Sequence, residues 1–228
     1  MAEPTPVDQR TDPDLHTITR IVRYPERKRI EVNFNTGDVP LVILPVTFEY
    51  FRLYEGQCLS AKQIHAIRFH DQFEIARDLA LRFLGRRMRS IREMERYLQR
   101  LNVAILTIQR VISYCLERHY LDDSEFARAF AREQVKRGQS GKYRIIKALC
   151  EHGIDPSLAR TVAEESVSET TQLELAEKLA CRKLALIGAK PGTKLKLLRY
   201  LTQKGFSREV ISQTLTKVLR SDSRSADD

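Results

Sequence analysis

The stretch "IIKALCEHGIDPSLA", residues 145–159, ends one helix and opens another. Gly153 stands where a helix stops in the left-handed conformation, which glycine enters without steric cost. Asp155 then offers a side-chain acceptor to free backbone N–H groups, and Pro156 takes the first helical position, where a missing donor is harmless. The same arrangement recurs on both sides. Leu98, Leu149 and Leu201 are 51 and 52 residues apart, followed four residues later by Asn102, Gly153 and Gly205, and then by Val103, Ile154 and Phe206. Asparagine also tolerates the left-handed stop, so residue 102 obeys the same rule.

Upstream of each leucine lies a basic turn: RRMRS (86–90), KRGQSGK (136–142) and GAKPGTK (188–194). Further upstream is an amphipathic helix, carrying Leu79 and Phe83, then Phe126 and Phe130, then Leu175 and Leu179. The reading is mainly α: three tandem three-helix, helix-turn-helix-like repeats of about 50 residues, at 71–119, 120–168 and 169–220. One repeat buries little surface, so neighbours are expected to share a core and stack into an elongated body that suits a long partner.

Residues 16–70 differ in character. The segments 17–24 (TITRIVRY), 28–35 (KRIEVNFN) and 39–44 (VPLVIL) alternate or are β-branched, with the turn signals PERK and NTGD between them. They predict a small three-stranded antiparallel meander, packed on a connecting helix that begins near Val46. From there onward every segment reads as helix. Ser60 with Gln63 and Ser90 with Glu93 have capping-box spacing, and Ser207 precedes a further apolar-periodic stretch. Residues 1–15 and 221–228 are polar and aperiodic, and read as disordered tails.

The chain has 228 residues, 42% of them hydrophobic, which is enough for a real core. Lys and Arg number 39 against 30 Asp and Glu, a net charge of +9 that points to a polyanion or an acidic protein surface as partner. Cys58, Cys115, Cys150 and Cys181 are far apart, which speaks against a zinc or redox site and favours buried thiols in a reducing cytoplasm. The opening MAEPTPVDQRTDPDL lacks the apolar segment of a signal peptide, and no run has the length of a membrane span. A soluble cytoplasmic monomer is expected.

Asp122 and Asp123 are an adjacent acid pair that could suggest chemistry. They fall directly before the helix carrying Phe126 and Phe130, Asp122 has capping-box spacing to Glu125, and Asp123 could itself be the N-cap. Capping explains them, since no second carboxylate or histidine can be nominated to converge with them. His16, His65, His70, His119 and His152 are scattered and read as surface or packing residues. No dinucleotide, phosphate-loop or zinc-protease motif is present, so no enzyme and no cofactor is expected.

Arginine is concentrated at 82–100, where Glu93 and Glu95 can pair along the helix with Arg89, Arg92, Arg96 and Arg100. Arg86, Arg87 and Arg89 read as turn residues with no nearby acid. The second repeat adds Lys136, Arg137, Lys142, Arg144 and Lys147, and the third Lys190, Lys194 and Lys196. Cations recurring at one place in each repeat are expected to form a stripe for a partner or DNA. A sequence-reading helix-turn-helix fits poorly. The last helix of the second repeat carries Glu164 and Glu165 with only Arg160, and that of the third is nearly neutral.

The segments YLDDSEFA (120–127), KRG (136–138), IIKALCEHGI (145–154) and ALRFLGRRMRSIREMERYL (80–98) together resemble the RecX family, bacterial regulators of the RecA recombinase. The resemblance covers roughly 70–220, and residues 17–70 are similar to the N-terminal extension of longer members. Two departures are Asn102 in place of the usual glycine stop and the unusually apolar VAILTIQRVISYCLE (103–117). The resemblance implies a helical, non-catalytic body in the groove of a RecA–DNA filament, lowering recombinase, ATPase and co-protease activities. The alternative is a non-specific DNA-binding protein that acts on recombination by covering DNA.

Overall fold

The computed structural model describes residues 15–37, 39–188 and 190–224, with side chains through 220. Two compact units form: the residues up to Gly85 together with Leu98–Tyr114, and Arg86–Tyr97 together with the chain from Cys115 onward.

In the first unit, β1 (Leu15–Tyr24), β2 (Arg29–Phe34), β3 (Leu41–Ile43) and β4 (Cys58–Ser60) make an antiparallel sheet in the order β3-β2-β1-β4. The expected meander is therefore four strands, not three. A three-residue strand has no readable period, and β4 exists because Leu15, His16 and Thr17 pair with Ser60, Leu59 and Cys58. One face buries Ile18, Ile30, Val32, Phe34, Leu41 and Ile43 against Phe48, Leu53, Leu59 and Ile67. The short α1 (Pro45–Phe51) begins at Leu44, which has no capping side chain of its own. Asp71, from α2 (Ala61–Leu84), supplies the acceptor instead, at 2.7 Å from Leu44 N and 2.8 Å from Thr47 Oγ1. Ser60 and Gln63 close the predicted capping box on α2. That helix runs unbroken for 24 residues through the boundary read at 70/71.

The helices continue as α3 (Ile91–Arg100), α4 (Ile105–Glu117), α5 (Asp123–Arg137), α6 (Lys142–Glu151), α7 (Pro156–Ser166), α8 (Glu169–Ile187), α9 (Thr193–Lys204) and α10 (Arg208–Arg224). Three groups of three, α2–α4, α5–α7 and α8–α10, realise the repeats. Their second helices end alike. Val103, Ile154 and Phe206 donate to the carbonyls of Leu98, Leu149 and Leu201 at 3.2, 3.1 and 3.2 Å. Asn102, Gly153 and Gly205 donate to Gln99, Cys150 and Thr202 at 3.0, 2.9 and 3.0 Å. Both bonds of the Schellman stop thus occur in every copy, with φ of 57°, 86° and 84° at the left-handed residue. Asp155 and Ser207 cap α7 and α10 as their sequence places suggest.

The shared core expected between repeats is not what joins the second and third. Phe126, Ile145, Leu149, Ile154 and Val162 form one apolar cluster, and Leu179, Leu197, Leu201, Phe206 and Leu215 form another. Two of the four cysteines also depart from expectation: Cys115 is buried and Cys150 half-buried, but Cys58 and Cys181 are exposed. Of the tails read at 1–15 and 221–228, residues 1–14 and 225–228 lie outside the described residues. Leu15 belongs to β1 and residues 221–224 to α10. Among the described residues, no helix is long and apolar enough to cross a membrane.

Candidate functional site

The basic segments span the turns before α3, α6 and α9 and the helix ends that flank them, and all their predicted cations but Arg89 divide into two groups. Arg86, Lys136, Lys190, Lys194 and Lys196 are exposed, and none makes an ion pair among the described residues. Five others have partners within the chain. Arg87 grips Glu93 with both guanidinium nitrogens, Nη2 to Oε1 at 2.7 Å and Nη1 to Oε2 at 3.1 Å, so this turn does have a nearby acid. Arg137 pairs with Glu133 four residues back, and Lys147 with Glu151 at 4.0 Å. Lys142 Nζ reaches Glu164 at 2.9 Å, and Arg144 Nη1 reaches the Gln203 carbonyl at 3.5 Å. Arg89 is half-buried. Burial, followed by its neighbour Arg87, pulls its guanidinium below the ordinary arginine value.

Glu93 is the hub of the first turn. Burial pushes its carboxyl upward, but the Arg87 fork, the Ser90 N–H and His152 outweigh that and hold it below the usual glutamate range. It closes the capping box with Ser90 and comes within 3.3 Å of His152 Nδ1. His152 packs edge-on against Phe126 and Phe130. It is a packing residue, as expected of the histidines, but one that links two repeats.

That link follows a rule that residue-by-residue reading misses. Ser90 Oγ donates to the His152 carbonyl at 2.6 Å, and Arg96 Nη1 to the Glu151 carbonyl at 3.3 Å. In the next junction Gly141 N donates to the Lys204 carbonyl at 2.8 Å, and Arg144 Nη1 to the Gln203 carbonyl at 3.5 Å. The accepting carbonyls, Glu151 and His152 then Gln203 and Lys204, are equivalent at the 52-residue offset. At each junction the start of one repeat's second helix therefore seats on the glycine stop of the next. The approach is close. A Cβ on Gly153 would lie 2.2 Å from Arg92 Cβ, and one on Gly205 would lie 2.4 Å from Arg144 N. The first stop, Asn102, is exposed. It needs only a residue that tolerates positive φ, and asparagine suffices.

Asp122 and Asp123 are structural, with a division of labour the sequence does not show. Asp122 is the N-cap of α5, its Oδ1 accepting from Ser124 N at 2.8 Å and Glu125 N at 3.0 Å. Asp123 turns to α3 and accepts the Ile91 N–H. Among the described residues, no group of three or more His, Cys, Asp or Glu is placed to hold a metal ion.

Sequence models of RecX match the three groups in order: the first three-helix domain at 76–115, the second at 122–162 and the third at 170–215. Similar curated proteins include a regulatory protein RecX of Staphylococcus haemolyticus, 25% identical over 202 residues, covering 83% of this chain and 74% of that one. A regulatory protein RecX of Listeria welshimeri is 31% identical over 162 residues, covering 70% of this chain and 60% of that one. Among solved structures, one described as the crystal structure of regulatory protein RecX superposes with a TM-score of 0.70 at 24% identity, over 87% of this chain and 98% of that one. With its three repeats matched domain by domain, this chain belongs to the RecX family.

Proposed function

We propose that this chain is a regulator of RecA that binds in the groove of the RecA–DNA filament and lowers RecA's recombinase, ATPase and co-protease activities. It acts as a binder without cofactor or catalysis, as a cytoplasmic monomer. The observation that carries this reading is the recurrence of exposed cations in or beside the turn before the second helix of all three repeats: Arg86 and Lys190 in the turns, Lys136 in the last turn of α5 and Lys196 in the first turn of α9. Recurring charge of one sign offers several contacts to a periodic polyanion or to acidic subunit surfaces. The exposed Glu164 and Glu165 on α7 argue against that helix entering a DNA groove, because phosphates repel it.

The test is RecA's DNA-dependent ATPase, followed with and without the chain at several salt concentrations. Contacts from three repeats let one chain engage more than one RecA subunit, so inhibition is expected below one chain per RecA. Inhibition that appears only when bare DNA is saturated, and disappears with excess DNA, would instead mean that the chain acts by covering DNA.

A further inference from the structure

Between α9 and α10 runs an open groove of about 790 Å³. Leu198, Ile211, Leu215 and Leu219 line it, with Lys194 and Arg208 among its cations. No aspartate or glutamate is among the lining residues. The second repeat lacks this combination. At the 52-residue offset, Lys142 stands where Lys194 does, but Glu164 stands opposite and the two bridge at 2.9 Å. In the third repeat Thr216 replaces that glutamate, leaving Lys194 exposed and without an ion pair among the described residues. Ala159 and Ala163 are likewise replaced by Ile211 and Leu215, which give the third repeat a larger aliphatic floor. Leu198 is 41% exposed at the groove wall, an apolar side chain left open to water beside cations.

An aliphatic trough with cations and no carboxylate is complementary to an amphipathic helix with an acidic polar face. Single-stranded nucleic acid fits less well. Its bases need aromatic platforms, and the one aromatic residue in the lining, Phe206, is 4% exposed. We propose that the α9–α10 groove docks an acidic amphipathic helix of a partner protein, with its apolar face on Leu198 and Leu219 and its carboxylates on Lys194 and Arg208. This goes beyond the regulation of RecA and does not depend on it, because docking is measured with neither RecA nor DNA present.

The experiment titrates the full chain into a fluorescein-labelled model helix carrying leucine at i, i+3, i+4 and i+7 and glutamate elsewhere, read by fluorescence anisotropy. A control peptide carries lysine in place of each glutamate. The acidic peptide is expected to bind and the basic one to fail. Leu198→Glu should weaken binding about tenfold or more, since it removes an apolar anchor and adds a like charge. Thr216→Glu should do the same by recreating the bridge of the second repeat across Lys194. It alters an exposed helical position, so it tests the groove even if Leu198→Glu fails to fold. The double variant Lys194→Glu, Arg208→Glu should reverse the preference in favour of the basic peptide. Equal affinity for both peptides would overturn the proposal. So would undiminished acidic-peptide binding by folded Thr216→Glu, or displacement of the peptide by an oligo-dT competitor.

Discussion

The carboxylate of Asp123 accepts the backbone N–H of Ile91 at 2.9 Å, so an acid in the first turn of α5 serves the open end of α3. A helix start has N–H groups that its own backbone cannot satisfy, and an acceptor from elsewhere in the fold does the work of a local cap. Asp71 does the same for α1 in the other unit. Burial raises the Asp123 carboxyl above the ordinary aspartate range, with Asp122 adding to the rise while the Ile91 N–H opposes it.

Asp123→Ala should therefore lower stability by about 1–2 kcal/mol, comparable to a lost cap. Asp123→Asn keeps an oxygen for Ile91 and should cost less. Asp122→Ala removes the other cap at a similar cost of about 1 kcal/mol. Urea denaturation ranks the three. The double alanine variant, once folded, should still lower RecA's ATPase. If it loses that effect at unchanged stability, these carboxylates touch the partner.

Acid should act on Glu93 and Asp123 in opposite senses. The Glu93 carboxyl is depressed in the fold, so its stabilisation is complete above the unfolded glutamate range and is lost as pH falls through the folded value. Asp123 is raised, so its ionisation disfavours the fold, and that cost is relieved as pH falls through its raised value. Glu93→Gln should flatten the acid limb of a stability-against-pH curve, and Asp123→Asn should steepen it. Identical curves for both variants would refute this assignment.

Gly153→Ala and Gly205→Ala should cost far more than Asn102→Ala. All three positions have positive φ, which costs alanine roughly 1 kcal/mol. At the two glycines an added Cβ would also lie 2.2 and 2.4 Å from atoms of a neighbouring repeat, and overpacking adds about 1–3 kcal/mol. Gly153→Asn separates the two effects, because it satisfies the backbone but keeps the collision with Arg92. Thermal melts should place it close to Gly153→Ala.

Replacing Arg86, Lys136, Lys190 and Lys196 together with serine should leave the circular-dichroism spectrum helical, since all four are exposed and make no ion pair among the described residues. Binding to RecA filaments should weaken at moderate salt, and its dependence on salt should flatten. An unchanged affinity and salt slope would mean these cations are only a solvated face. Arg87→Ser serves as the contrast. It breaks the bidentate pair with Glu93, so its effect should appear in stability.

Much of this molecule follows from chemistry within five or six residues along the chain. The three Schellman stops, the boxes at Ser60 and Ser90 and the caps at Asp122 and Asp155 depend on local hydrogen bonds and positive φ. Their residue types announce them, and their spacing exposes the repeat. What the tertiary structure alone decided is which donor meets which carbonyl across distance. The carbonyl pair preceding each glycine stop receives Ser90 Oγ and Arg96 in one junction but Gly141 N and Arg144 in the next, so the role recurs while the residue types do not. Strand β4, the turn of Asp123 toward Ile91 and the opening of the third repeat beside Lys194 are of the same kind. Each is set by a partner distant in sequence, whose position exists only once the chain has folded.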